Sequence, residues 1–182
     1  MDDLGESLLR LARNAIGERF GLAPRPVAER PEWREPGASF VTLTQQGELR
    51  GCIGSLEAWR ALAEDVAANA RAAAFRDPRF TPLAADELAR TRIEVSQLTP
   101  AQPLSFRDEA DALAQLRPHI DGVILSAGRH RATFLPQVWE QLPEPAVFLA
   151  HLKRKAGLAA DDWAADFCLD RYAVKKWREA GP

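Results

Sequence analysis

Leu4, Leu8, Leu11, Ala12, Ala15 and Ile16 recur at helical spacing, with Glu6, Arg10, Arg13 and Glu18 between them. This pattern predicts an amphipathic helix over residues 4–20, stopped at Gly21. Residues 23–37 carry four prolines and alternating charge, and read as an extended surface connector. A second helical stripe, Leu62, Val66, Ala70 and Ala73/Ala74, predicts a helix over about residues 58–75, with its alanines suited to close approach to a sheet. Asp77-Pro78 ends it, because a residue before proline avoids the helical region. A helical turn is expected at 85–90, and short helices at 108–116 and 136–142. A basic amphipathic helix covers 145–158, closed by Gly157.

Period-two alternation marks the strands. In residues 91–98, Ile93 and Val95 face one way, Glu94 and Ser96 the other. Residues 121–135 read as a hairpin around Ala127-Gly128, and 163–177 as one closing strand. Residues 38–56 read as a hairpin whose register depends on its turn. A two-residue turn at Gln46-Gly47 would set Val41 and Leu43 on the face of Arg50 and Cys52. A three-residue loop, Gln45-Gln46-Gly47 with Gly47 at positive φ, gathers Val41, Leu43, Leu49 and Ile53 on one face. The second register is preferred. It pairs Phe40 with Cys52 and leaves Thr42, Thr44, Glu48, Arg50 and Cys52 on the opposite face. Two hairpins demand antiparallel pairing, so the fold class is α+β, an antiparallel or mixed sheet flanked by helices.

A chain of 182 residues, 46% apolar and 27% charged, fits one globular domain. No apolar run reaches the roughly 18 residues that a spanning helix needs, and the acidic first residues carry no export signal, which points to the cytoplasm and away from membranes. A net charge of −2 disfavours nucleic acid as a partner. Cys52 and Cys168 form no CxxC, and His119, His130 and His151 have no ligand spacing with them, so neither a protein-borne metal nor another cofactor is expected. No nucleophile elbow, phosphate loop or CxxxCxxC cluster motif is present. The five tryptophans read as packing residues. Cys168 reads as structural, and Lys153, Arg154 and Lys155 beside His151 as a solvated basic face.

Residues 39–43 (SFVTL), 49–56 (LRGCIGSL), 73–83 (AAFRDPRFTPL), 93–98 (IEVSQL), 121–125 (DGVIL), 131–143 (RATFLPQVWEQLP) and 148–158 (FLAHLKRKAGL) together resemble the AMMECR domain family. Its prokaryotic members are called AmmeMemoRadiSam system protein A. The resemblance runs from about residue 7 to residue 179, and all six positions of the hallmark, Leu49 to Gly54, match. His119 departs from the pattern, standing where a glycine is expected in the RP-x-x-DG turn. His130 lies in a loop where the family varies. The resemblance implies a larger lobe built from both chain ends, a smaller inserted lobe, and a cleft between them near the hallmark. It implies association with a Memo-like protein, similar to a metal-dependent dioxygenase, and a radical SAM enzyme. It establishes no activity.

Arg50 and Cys52 stand two apart on a strand, so they are expected to share a face about 7 Å apart. A guanidinium there favours the nucleophilic thiolate and makes the thiol more acidic than a free cysteine. Gly51 and Gly54 remove bulk beside it, either for a ligand, a small molecule or peptide, or for another backbone. The opposing reading is that Cys52 is a small buried hydrophobe and the glycines serve packing. Catalytic candidates are therefore Cys52, Arg50 and Glu94, the last as an acid or base or as an ion-pair partner of Arg50. Binding candidates are Thr42 and Ser96 on the polar strand faces, Gly51 and Gly54, Asp77 and Arg79 around Pro78, and Arg131 with Thr133. Asp77 reads either as a cap or turn residue or as part of a cleft rim, and Arg79 as a loop anchor or part of that rim.

Overall fold

The structure is a computed structural model that describes residues 3–164 and 166–180. It has the α+β class expected, with helices and two four-stranded sheets. Two compact units are present, Met1–Leu98 with Lys175–Pro182, and Thr99–Val174.

In the first unit the sheet order is β2-β1-β3-β8, from Glu48–Gly54, Ala38–Gln45, Arg92–Leu98 and Val174–Arg178. Val41 lies opposite Val95, and Leu43 opposite Ile93. All four are fully buried, and they share a core with Leu8, Ile16, Val66 and Ala70 from α1 (Asp3–Gly17) and α2 (Leu62–Phe75). Each such aliphatic side chain contributes about 1.5–3 kcal/mol on leaving water. One face of the sheet is thus committed to the helices. The alternation of β1 and β3 sends Thr42, Glu94 and Ser96 to the other.

α2 starts at Leu62, later than its periodicity indicates. The preceding backbone is held extended by a bridge between Pro36 and Ala61, and Leu62 N–H donates to Glu35 O. Trp59 consequently stands on a loop and is 69% exposed, unlike the buried Trp33, Trp139 and Trp177.

The hairpin register differs from the preferred one. The turn has two residues, with Gln45 opposite Glu48 and both Gln46 (φ 52°) and Gly47 (φ 88°) in the left-handed region. Positive φ at both central residues matches the strand twist of a short hairpin. The pairing then shifts between Leu43 and Thr44: Thr44 faces Leu49, but Leu43 faces Gly51, leaving Arg50 as an extra residue in a β-bulge. Beyond the bulge Thr42 lies opposite Cys52, Val41 opposite Ile53 and Phe40 opposite Gly54. The bulge restores the apolar face that a plain two-residue turn would have inverted. Its cost is Leu49, which is 42% exposed rather than in the core.

The second unit has sheet order β4-β7-β5-β6, from Gln102–Leu104, Cys168–Tyr172, Gly122–Ala127 and His130–Phe134. Helices α3 (Glu109–Gln115) and α4 (Pro145–Lys155) complete it. Trp139 stacks on Phe148 at 3.7 Å between ring centroids, and its indole N–H donates to Asp121 O at 2.7 Å. His119 holds φ 64°, the conformation a glycine takes without strain, which accounts for the glycine expected there. Lys153 is not on a solvated face. It is fully buried, donates to Glu109 at 2.6 Å and lies over the Trp163 and Phe167 rings. The single closing strand is in fact two, β7 and β8, one in each sheet, separated at Ala173. Ala165, at the start of that stretch, lies outside the described residues. Cys168 is exposed.

Candidate functional site

On the sheet face away from the helices, four strands present one side chain each in a row: Cys52 on β2, Thr42 on β1, Glu94 on β3 and Arg178 on β8. Register pairs Cys52 with Thr42, and Thr42 with Glu94. The Thr42 hydroxyl donates to Cys52 Sγ at 3.3 Å. Glu94 Oε2 accepts from Arg178 Nη2 at 2.6 Å and Nε at 2.9 Å. Thiol, hydroxyl, carboxylate and guanidinium thus succeed one another across the sheet. Cys52 is half-buried. Beside this row, Phe40 lies opposite both Gly54 and Ser96, and Ser96 is buried.

β2 is an edge strand, so its outward N–H and C=O groups need partners or water. At Cys52 they are supplied by the loop after α2. Asp77 Oδ2 accepts from Cys52 N–H at 2.9 Å, and Arg79 Nη2 donates to Cys52 O at 3.1 Å. Asp77 and Arg79 are also bonded to each other, at 2.6 Å between Nη2 and Oδ2. The Arg79 guanidinium, with two backbone N–H donors, holds the buried Asp77 carboxyl well below the usual carboxylate range, against the opposing effect of burial. The two residues thus clasp the backbone of Cys52, and Pro78 between them fixes the turn.

Arg50 does not share the face of Cys52. Its bulged position turns it toward the side of Gln45, where Glu87 receives both: Arg50 Nε and Nη2 donate to Glu87 Oε1 and Oε2, each at 3.0 Å, and Gln45 Nε2 donates to Oε1 at 3.1 Å. Arg50 Nη1 donates to Thr81 O at 2.9 Å. The expected Arg50–Glu94 pair is absent, and Arg178 takes that place. Glu87 and Arg178 were both missed in the sequence. Glu87 sits in a turn, at 85–90, that periodicity marks only as helical, and Arg178 follows the predicted limit of the closing strand.

Arg50 lowers Glu87 to about pKa 2, with help from the Ala84 N–H and Gln45. A carboxylate depressed on folding contributes stability above its unfolded pKa, near 4.3, and loses it as pH falls toward 2. Asp77 acts in the same direction. Unfolding free energy should therefore fall between about pH 5 and pH 2, with at most about 3 kcal/mol from Glu87. In Glu87→Gln, urea midpoints measured across this range should fall less steeply. An acid limb as steep as in the parent would show that the pair contributes nothing.

Gly51 and Gly54 are explained by packing. Gly51 faces α2, and a Cβ there would overlap the Ala73 carbonyl oxygen. At Gly54 a Cβ would overlap the Phe40 ring, which lies across the strand pair on top of it. Arg131 and Thr133 lie on β6 of the second unit. The Thr133 hydroxyl is 3.0 Å from the Tyr172 hydroxyl, whose pKa burial raises. No helix among the described residues is long and apolar enough to cross a membrane.

Two antiparallel sheets, helices on one face of the first, and a bulged edge strand carrying a clasped cysteine define an α+β protein with its distinctive residues on a sheet face. Residues 9–177 match the AMMECR1 family, and the chain belongs to that family. A protein of Saccharolobus islandicus is 38% identical over 170 residues, covering 89% of this chain and 75% of that one. A Methanothermobacter thermautotrophicus protein is 39% identical over 163 residues, covering 87% and 85%. The crystal structure of Uncharacterized Protein PH0010 from Pyrococcus horikoshii superposes with a TM-score of 0.79 at 33% identity, covering 98% of this chain and 93% of that one.

Proposed function

We propose that the chain is a cytoplasmic recognition protein that binds a small molecule or peptide on the row Cys52, Thr42, Glu94 and Arg178, in association with a Memo-like protein and a radical SAM enzyme. The observation that carries this reading is the commitment of Arg50. The cation expected to activate the thiol is bound bidentately by Glu87, and the cation that does reach Cys52, Arg79, contacts its carbonyl oxygen and is itself paired with Asp77. The row offers donors and acceptors of fixed spacing on a rigid sheet, which suits recognition.

One observation favours the alternative, a cysteine-dependent enzyme. The Thr42 hydroxyl donates to Sγ, which fixes the position of a half-buried sulfur beside a polar group on an open sheet face. The experiment compares a deletion strain with one carrying Cys52→Ser, by untargeted metabolite profiling. On the recognition reading Cys52→Ser keeps most of the function, because serine preserves a polar group at that point of the row. A profile equal to that of the deletion, with rapid iodoacetamide labelling of Cys52 at neutral pH in a Cys168→Ala background, would overturn it in favour of thiol chemistry.

A further inference from the structure

On the helix side of the first unit an open cavity of about 490 Å³ lies between the C-terminal ends of α1 and α2. Arg19, Arg71 and Arg76 line it, above an apolar floor that includes Phe75 and Pro82, with Glu18 as its one acid. The Cys52 row plays no part in it.

These arginines are unlike others in the fold. Arg13, Arg50, Arg60, Arg79, Arg117 and Arg178 each donate to a carboxylate at 3.0 Å or less. Arg19 and Arg76 form no ion pair among the described residues, and Arg71 reaches only the exposed Glu18, at 3.6 Å. An exposed pair of that kind is worth about 0–1 kcal/mol. Arg19 is nevertheless held in place, its guanidinium 5.0 Å from the Phe75 ring centroid, while Phe75 packs edge-on against Phe20. Two helix C-termini carry about half a negative charge each. With Glu18 they offset about two of the three positive charges and leave the cavity positive, in a chain whose net charge is −2.

The geometry points to a binding site for a phosphorylated small molecule, with Arg19, Arg71 and Arg76 on the phosphate oxygens and the organic part on Phe75 and Pro82. Planar guanidinium groups bind phosphate through paired N–H donors. The volume falls in the range of small-molecule pockets, about 300–1,000 Å³, and far exceeds what a phosphate ion fills.

The test titrates the full chain with pyrophosphate and with ADP by calorimetry, at about physiological ionic strength. ADP should saturate with Kd below about 1 mM. The double variant Arg19→Ala/Arg76→Ala should weaken it about a hundredfold, tenfold for each charge-assisted contact, with a melting temperature lowered by at most about 4 °C, since both side chains are exposed and only the Arg19 contact with Phe75 is lost. Arg34→Ala/Arg107→Ala removes the same charge elsewhere and should leave the affinity within about twofold. ADP binding tighter than pyrophosphate assigns the site to an organic phosphate, and equal affinity assigns it to inorganic polyphosphate. No saturation by either probe up to about 10 mM, or equal weakening by the two double variants, would overturn the site.

Discussion

Gly51→Ala should destabilise the first unit by about 3 kcal/mol or more, lowering the melting temperature by about 6–12 °C. The reason is the identity of the atom in the way. A Cβ at this position would overlap the carbonyl oxygen of Ala73 and come within 3.1 Å of its carbonyl carbon. Both belong to the backbone of α2, which cannot turn aside as a side chain can. α2 would have to lift off the sheet, taking Val66 and Ala70 with it, both of which are fully buried. Gly51→Val should not fold. Gly54→Ala is the informative contrast, since its added Cβ would meet the Phe40 ring. That ring can change rotamer, so the loss should be smaller, about 1–2 kcal/mol, and Phe40→Leu in the same chain should recover part of it. Equal losses at the two glycines, or a Gly51→Ala protein that melts with the parent, would remove close packing against α2 as the reason for this glycine.

Asp77→Ala should cost about 2–3 kcal/mol and release the backbone at Cys52. The two partners of this carboxylate respond differently to its loss. The Arg79 side chain is 53% exposed, so its charge can return to water at little cost. The Cys52 N–H points outward from the edge strand into the space that Asp77 fills, and an unsatisfied buried donor costs about 1–3 kcal/mol. Arg79→Ala should therefore be milder, about 1 kcal/mol, because Asp77 would still accept from the N–H groups of Cys52 and residue 79. Urea unfolding gives the free energies, and amide hydrogen exchange at Cys52 gives the local effect. Exchange at that amide should accelerate in Asp77→Ala well beyond the change in global stability. Unchanged exchange there, with a stability loss below about 0.5 kcal/mol, would show that the clasp does not hold the strand.

The elements of the fold were legible because one face of each is buried. Leu62, Val66, Ala70 and Ala73 announce α2, and Ile93 with Val95 announces β3, since burial imposes a period on the sequence. Register was less legible. Turn length and bulge act together: a two-residue turn with a bulge at Arg50 produces nearly the same segregation of apolar residues as a three-residue loop without one. Leu49 and Arg50 separate the two: the three-residue loop puts Leu49 in the core and Arg50 beside Cys52, whereas the bulge exposes Leu49 and turns Arg50 toward Glu87. The candidate site inherited that error. Cys52, Thr42 and Glu94 do share a face, but the partner of Glu94 comes from residue 178 and the partner of Arg50 from residue 87. Ion pairs across such sequence distances leave no periodic trace, and any of several carboxylates fits equally well on charge alone. The sequence offers Asp77 and Arg79 as turn and anchor residues or as part of a rim, and the structure bonds both to the backbone of Cys52. Nothing in local sequence says that what they anchor is the edge of the hallmark strand.

The order of strands along the chain sets an order on biosynthesis. β3 ends at Leu98, but its neighbour β8 begins only at Val174, after the whole second unit. At about 5–20 residues per second, the ribosome leaves the β3 edge without its neighbour for about 4–16 s. The Ile93 N–H waits with it, since it finds its acceptor only in the Glu179 side chain, which Arg13 of the first helix also binds. Ribosome-bound chains that have reached about residue 100 therefore present an open sheet edge and a helix arginine that lacks this partner, a state that invites strand exchange with neighbouring nascent chains. A strand translated after the whole second unit thus closes the sheet of the first.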